Sequence, residues 1–385
     1  MDENHTPYPT TPIVDKCPIP DPFANEDGTR VQNRDAWPAR AAAWRELIVE
    51  TEYGGMPPTA DAVTVEPLCQ TAVKRWDGQP RLLSYRVHCH GGEKPFSFGV
   101  RILAPKGDGP FPAIVNGDGC YWYITEDIAR RVVAAGCALV MFNRTEMAED
   151  RLPAEDQKDP RRTGGLYDVY PGLSFGALAA WAWGYHRCVD TIVSLNGLID
   201  PARIAVTGHS RGAKTTLLAG ATDERITLVN DNASCAAGSA LFRYVGDGGE
   251  TLGIVNHFPS WFGARPGLRP FVGREEIVPF DQHCLLATIA PRPLLLTYAL
   301  DDRWSNPEGM VQCATATREV YRYLGAENRF AFHLRPGGHQ HAPEDWDVLL
   351  DFIAVQWGGR ESTVPYNKHP YDHLKPAFSW TAPKP

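Results

Sequence analysis

The chain of 385 residues is first defined by what it lacks. No stretch approaches the about eighteen apolar residues that a membrane span needs, so no membrane partner is expected. No basic segment leads into an apolar one in the opening "MDENHTPYPTTPIVDKCPIP". That stretch is acidic and proline-rich, and no signal peptide is expected from it. No basic stripe is present, and the net charge of -8 argues against a nucleic-acid partner. No internal repeat appears, and low complexity is confined to the proline-rich ends. The nine cysteines (Cys17, Cys69, Cys89, Cys120, Cys137, Cys188, Cys235, Cys284 and Cys313) form no C-x-x-C pair. Their odd number and scattered placement exclude a zinc knuckle and argue against a disulfide framework. Most read as small buried hydrophobes in a reducing compartment, with a cytoplasmic location expected unless a leader has been trimmed.

What is present is an alternation. Strand-like runs recur as "FSFGVRILAP", "FPAIVNGD", "CALVMFNR", "RIAVTGHS", "ITLVNDNAS", "RPLLLTYAL" and "RFAFHLRPG". Several are continuous rather than alternating, as strands buried on both faces are. Amphipathic segments separate them: "TEDIARRVVAAG", "FGALAAWAWGYHRCVDTIVSLNG", "AKTTLLAGA", "VQCATATREVYRYLGA" and "EDWDVLLDFIAVQWG". From about residue 96 to 358 this predicts an α/β fold with a mainly parallel central sheet flanked by helices, a three-layer sandwich. Upstream, "AWRELIVETEYGGMPP" predicts a helix, and "AVTVEPLCQ" and "LLSYRVHCH" predict antiparallel edge strands. One domain over 1–360 is expected. An insertion at about 238–281 would form a cleft wall, and 361–385 a C-terminal tail on the surface.

The chemistry gathers at "GHSRGAK". A G-x-S-x-G pattern is weak alone, but a hydrophobic strand precedes this one and a helix follows, the strand-turn-helix that a nucleophile elbow requires. Gly208 and Gly212 permit the sharp turn that exposes Ser210. A serine hydroxyl needs an imidazole base and a carboxylate to orient it, following in the order Ser, acid, His in α/β-hydrolases. "GGHQH" after the last strand offers His339 as base, with His341 as runner-up. "DDRWSNPEG" offers Asp301 and Asp302 as acid. Asp302 is preferred, against the plainer reading of an Asx cap on the helix from Pro307, and Glu308 reads as a first-turn residue favoured by the helix dipole. Arg211 and Lys214 are anomalous, because cations in a first helical turn oppose the dipole. With the free N–H groups there they make a site for an oxyanion and a carboxylate product, unless they are merely solvated charges. "NGDGCYW" (116–122) lies where a second oxyanion donor often sits, without assigning one. Asp281 and His283 read as a structural pair. Trp261 either lines the cleft or fills the insertion's own small core.

"GHSRGAK", with "WAWGYHRCVDTI" before it and "DERI" after it, resembles the glucuronoyl esterases, carbohydrate esterase family fifteen, and their bacterial branch in particular. "YGGMPP", "PFDQHCLLATIAPRPLLLTYA", "DDRWSNPEG" and "GGHQHAPEDWDVLLDFI" extend the resemblance from about residue 40 to 358. It implies an α/β-hydrolase fold and a serine esterase without metal or other cofactor. Its substrates would be small or oligosaccharide esters of (4-O-methyl-)glucuronic acid from xylan, with lignin as the natural alcohol. Carried over, Ser210 is the nucleophile, His339 the base, Arg211 an oxyanion donor through its N–H and side chain, Lys214 a partner for uronate hydroxyls, and Trp304 a surface for the sugar. Two positions depart from the family pattern: Ala213 replaces the motif's second glycine, and Asn232 stands where many members carry a catalytic Glu. An amide cannot act as the acid, so that role passes to Asp302. The competing readings are a related carbohydrate esterase (on galacturonate methyl esters or acetylated xylan) and a non-catalytic hydrolase fold used for binding.

Overall fold

The computed structural model describes residues 18–151, 155, 162–264 and 266–384. Cys17 and the opening segment lie outside these. Nine strands form one sheet: β1 (Ala62–Ala72), β2 (Arg81–His90), β3 (Phe96–Ala104), β4 (Phe111–Asn116), β5 (Ala138–Phe142), β6 (Ile199–His209), β7 (Leu228–Asn232), β8 (Leu294–Ala299) and β9 (Phe330–Arg335). Their spatial order is β1-β2-β3-β5-β4-β6-β7-β8-β9. The β1–β2, β2–β3 and β3–β5 pairs are antiparallel, and every pair from β5–β4 to β8–β9 is parallel. The parallel part holds the continuous apolar runs, because helices cover both of its faces.

The longer helices are α1 (Trp37–Ile48), α2 (Glu126–Ala134), α3 (Ala177–Ser194), α4 (Arg211–Thr222), α5 (Pro307–Tyr323) and α6 (Pro343–Gly358). On one face, Ile128 and Val132 of α2 join Trp346, Leu349 and Phe352 of α6 over Ile114, Leu139 and Ala205. The other face carries α1, α3, α4 and α5, whose Trp44, Trp181, Leu217 and Val320 belong to the larger core. The architecture is thus the three-layer sandwich of an α/β-hydrolase. A five-residue π turn, Val49–Tyr53, extends α1 and ends at Gly54, whose φ is 72°. A Cβ on Gly54 would stand 2.2 Å from Ser174 O, so the close approach of two backbones requires glycine there.

Among its described residues the segment 238–281 holds one short α-helix, Ile254–His257, and the 3-10 turns Arg269–Phe271 and Glu275–Ile277, and it packs against the start of α3, where Ala177 N–H donates to Ser260 O. After α6 the chain runs without helix or strand. It is nonetheless clasped: Ile19 N–H donates to Ala377 O at 3.0 Å, and Trp380 Nε1 donates to Ile19 O at 3.2 Å. Eight cysteines are described and all are free. Among the described residues no helix is long and apolar enough to cross a membrane.

Candidate active site

Strand β6 ends at His209 and α4 begins at Arg211, leaving Ser210 to make the corner at φ 55° and ψ −117°. A non-glycine residue in this region is strained and persists only where its surroundings fix it. They do so here, since Ser210 N–H donates to Asn232 O at 2.9 Å. The flanking glycines are sterically required. A Cβ on Gly208 would lie 2.5 Å from Gly212 O, and one on Gly212 would lie 2.3 Å from Asp118 Oδ1.

His339 follows β9, and its Nδ1–H donates to Asp302 Oδ2 at 2.6 Å. This leaves Nε2 as the ring's acceptor. Burial raises the Asp302 carboxyl, but the hydrogen bond and charge of His339 and the hydrogen bonds from Ser305 hold it below the ordinary value. The cap on α5 is made instead by Asn306, whose side chain accepts from Gly309 N–H. Asp301 does not touch His339. Its Oδ2 accepts Gly337 N–H at 2.9 Å and so ties the acid loop to the base loop. Arg335 braces the base loop from below. It donates to Gln340 O at 2.8 Å and to Gly338 O at 3.3 Å while paired with Asp345. The His339 ring lies 4.5 Å from that of His209, the residue before Ser210.

His209 Nδ1–H in turn donates to Asn232 Oδ1 at 2.6 Å. Burial and the neighbouring His339 push the His209 pKa down to about 3. Its ring is therefore neutral at pH 7, and a neutral amide, Asn232, closes β7. His341 is excluded as an alternative base: it is buried, stacks on Trp346 at 4.8 Å, and neither ring nitrogen has a hydrogen-bond partner.

Arg211 opens α4, so its N–H has no carbonyl four residues earlier in the helix to donate to. Its side chain is 30% exposed and donates to Asp150 Oδ1 at 3.0 Å. Its guanidinium lies 4.5 Å from the centre of the Trp261 ring. Trp261 is only 3% exposed, stacks on Phe258 at 3.8 Å and donates to Asp150 at 3.2 Å. Of the two readings of Trp261, its burial and stacking favour the insertion's small core, where the ring lies against the Arg211 guanidinium.

The reading of Lys214 is corrected. It is neither a solvated charge nor an open donor. Its buried ammonium contacts the carbonyls of Ser234 and Ala236 and donates to Glu250 at 2.8 Å. An ammonium has three hydrogens, so none remains for a sugar hydroxyl. The loop after β7 achieves this with positive φ at Ala233, Cys235 and Ala237, on either side of the two accepting carbonyls. Burial raises the Glu250 pKa and Lys214 only partly offsets this. Trp304 is half-buried beside the pair, with its carbonyl accepting Glu250 N–H at 2.8 Å.

Several supports were not legible in the sequence. In "NGDGCYW", Asp118 accepts His209 N–H at 2.9 Å and the buried Arg144 guanidinium at 2.8 Å, which fixes the elbow from the β4 side. Asp150 gathers Arg211, Trp261 and the Tyr121 hydroxyl. The only signal for either was an acid in a loop leaving a strand. Asp281 and His283 are structural but not paired with each other. Asp281 binds Arg243 and backbone N–H groups, and His283 Nε2 donates to Pro20 O at 2.9 Å. Among the described residues no group of His, Cys, Asp and Glu is arranged to hold a metal.

A serine at a strained strand-helix corner, with a histidine and an aspartate on loops after the last two strands of a mainly parallel sheet, defines the α/β-hydrolase class. The family model for the fungal glucuronyl esterases matches residues 87–325. A 4-O-methyl-glucuronoyl methylesterase of Podospora anserina is 31% identical over 341 residues; the match takes in 86% of this chain and 65% of that one. A carbohydrate esterase family 15 glucuronoyl esterase from Caldicellulosiruptor kristjansonii superposes with a TM-score of 0.78 at 31% identity, over 95% of this chain and 97% of its own. A mutant glucuronoyl esterase from Sporotrichum thermophile, in complex with methyl 4-O-methyl-β-D-glucopyranuronate, superposes with a TM-score of 0.74 at 28% identity, over 92% and 91%. The chain belongs to the glucuronoyl esterase family.

Proposed function

We propose that the chain is a serine carboxylesterase that hydrolyses esters of (4-O-methyl-)glucuronic acid through an acyl-enzyme on Ser210, in plant cell-wall polysaccharide breakdown. The observation that carries this reading is the 2.6 Å His339–Asp302 hydrogen bond beside the strained Ser210 and Arg211. Ser210 Oγ attacks the ester carbonyl while His339 Nε2 takes its proton, and Asp302 stabilises the imidazolium that forms. The tetrahedral oxyanion is held by the Arg211 N–H and guanidinium. Collapse breaks the ester C–O bond, the alcohol leaves with the proton from His339, and water repeats the sequence on the acyl-enzyme. The sugar lies against Trp304, which is half-buried beside the Lys214–Glu250 pair.

The test is release of methanol from methyl glucuronate, set against methyl galacturonate and acetylated xylan. Turnover should be greatest on the glucuronate. Ser210→Ala should lower kcat by about 10⁵-fold or more and abolish labelling by a fluorophosphonate probe. Preference for galacturonate or acetyl esters would reassign the substrate. Absence of both turnover and labelling in the wild type would leave a non-catalytic hydrolase fold.

A further inference from the structure

A second cavity of about 560 Å³ opens on the antiparallel side of the sheet, lined in part by Ser84, Arg86, Gly99, Arg101, Trp122 and Glu146. Its floor follows from strand register. Arg86 pairs with Gly99 and Ser84 with Arg101, so these four positions share one face of β2 and β3. A Cβ on Gly99 would meet nothing within 4 Å, and the Gly99 N–H faces the Glu146 carboxylate, so the floor beside Arg86 carries no side chain at this position. Glycine in a strand interior marks a place where another group can approach closely. Glu146 answers part of the Arg86 charge. Arg101 is exposed and has no hydrogen bond or ion pair among the described residues. Over this floor stands Trp122, 86% exposed at a φ of 58°. A bulky side chain in that conformation is an outlier, and here burial does not offset the strain. Asp118 also borders the cavity, but its carboxylate is committed to Arg144 and His209 N–H.

We propose that this groove is a second carbohydrate-binding site, which takes an acidic pyranose unit with its ring on Trp122 and its carboxylate on Arg101. An exposed indole is a flat apolar face for the C–H side of a sugar, and a free guanidinium matches a carboxylate in shape and charge. The surrounding Ser84, Arg86 and Glu146 suit a hydroxyl-rich ligand better than an apolar one. The site does not depend on ester cleavage, because the groove needs only the free acid.

The test uses the full chain titrated calorimetrically with a glucuronic-acid-substituted xylo-oligosaccharide and with the neutral oligosaccharide of equal length. The acidic ligand should bind about tenfold more tightly. Arg101→Gln should abolish that preference, and Trp122→Ala should weaken both ligands by about fivefold or more. Both variants should keep kcat and KM on methyl glucuronate within about twofold. Equal binding of the two ligands, an unchanged preference in Arg101→Gln, or an unchanged affinity in Trp122→Ala would overturn the proposal. So would a KM on methyl glucuronate that rises in step with the loss of binding, since the groove would then be part of the reacting pocket. Acid-selective binding without methyl glucuronate turnover would count against the esterase reading and leave the groove intact.

Discussion

Asp301 and Asp302 are neighbours in sequence with separate tasks, and one peptide unit decides which is which. Asp302 turns inward to His339, while Asp301 turns outward to Gly337 N–H. Asp302→Asn should therefore lower kcat on methyl glucuronate by about 10³–10⁴-fold, because an amide favours the wrong histidine tautomer. Asp301→Asn should cost less than about tenfold, through a loosened base loop. The opposite ranking in steady-state assays would reassign the acid. The sequence carried both aspartates and the departure at Asn232. It did not carry the partner of Asn232, because His209 meets it only through the register of the neighbouring strands β6 and β7. Lys214 was legible as an anomaly for its helix. Its three acceptors were not, since two come from a loop whose positive φ values fall on alanine and cysteine rather than glycine, and the third, Glu250, comes from the insertion.

At the level of elements, the sequence was most readable where hydrophobic runs were continuous. "RPLLLTYAL" became β8, buried along its whole length, and "EDWDVLLDFIAVQWG" became α6. Of the two stretches expected as antiparallel edge strands, β1 is the edge and β2 lies one place inward, between β1 and β3. What remained hidden was what the irregular segments carry, because their chemistry depends on contacts far away in sequence. The insertion brings Glu250 to Lys214, and the π turn after α1 brings Glu52 to Gln282 Nε2 at 2.8 Å. Burial pushes the Glu52 pKa up from about 4.5 to about 7, against the hydrogen bond from Gln282. Between these values the folded chain retains a proton that the unfolded chain has lost, so stability falls as pH rises through the window. Glu52→Gln should match the wild type near pH 5 and exceed it near pH 8 by up to ~3 kcal/mol. Thermal melts at the two pH values read this directly, and parallel curves for the two proteins would show that Glu52 is ionised throughout.

For the whole molecule, the tail after α6 holds the fold together more than its lack of regular structure suggests. Gln312 of α5 donates to Lys375 O at 2.6 Å and accepts Ala377 N–H at 3.0 Å, and Trp380 lies 6.1 Å from the Phe23 ring. Removing residues 367–385 should destabilise the protein by about 2–4 kcal/mol, through lost apolar burial and hydrogen bonds. Scanning calorimetry should register a Tm lower by about 5 °C. An unchanged Tm would mean that the tail only lies on the surface. The hydrogen bond between Ile19 and Ala377 also has a geometric result. The first described residues and the last stretch of the described tail thus lie at a single corner of the protein. A label, a support or a second module joined at either side would therefore hold the molecule at the same place, giving two handles but one anchor point.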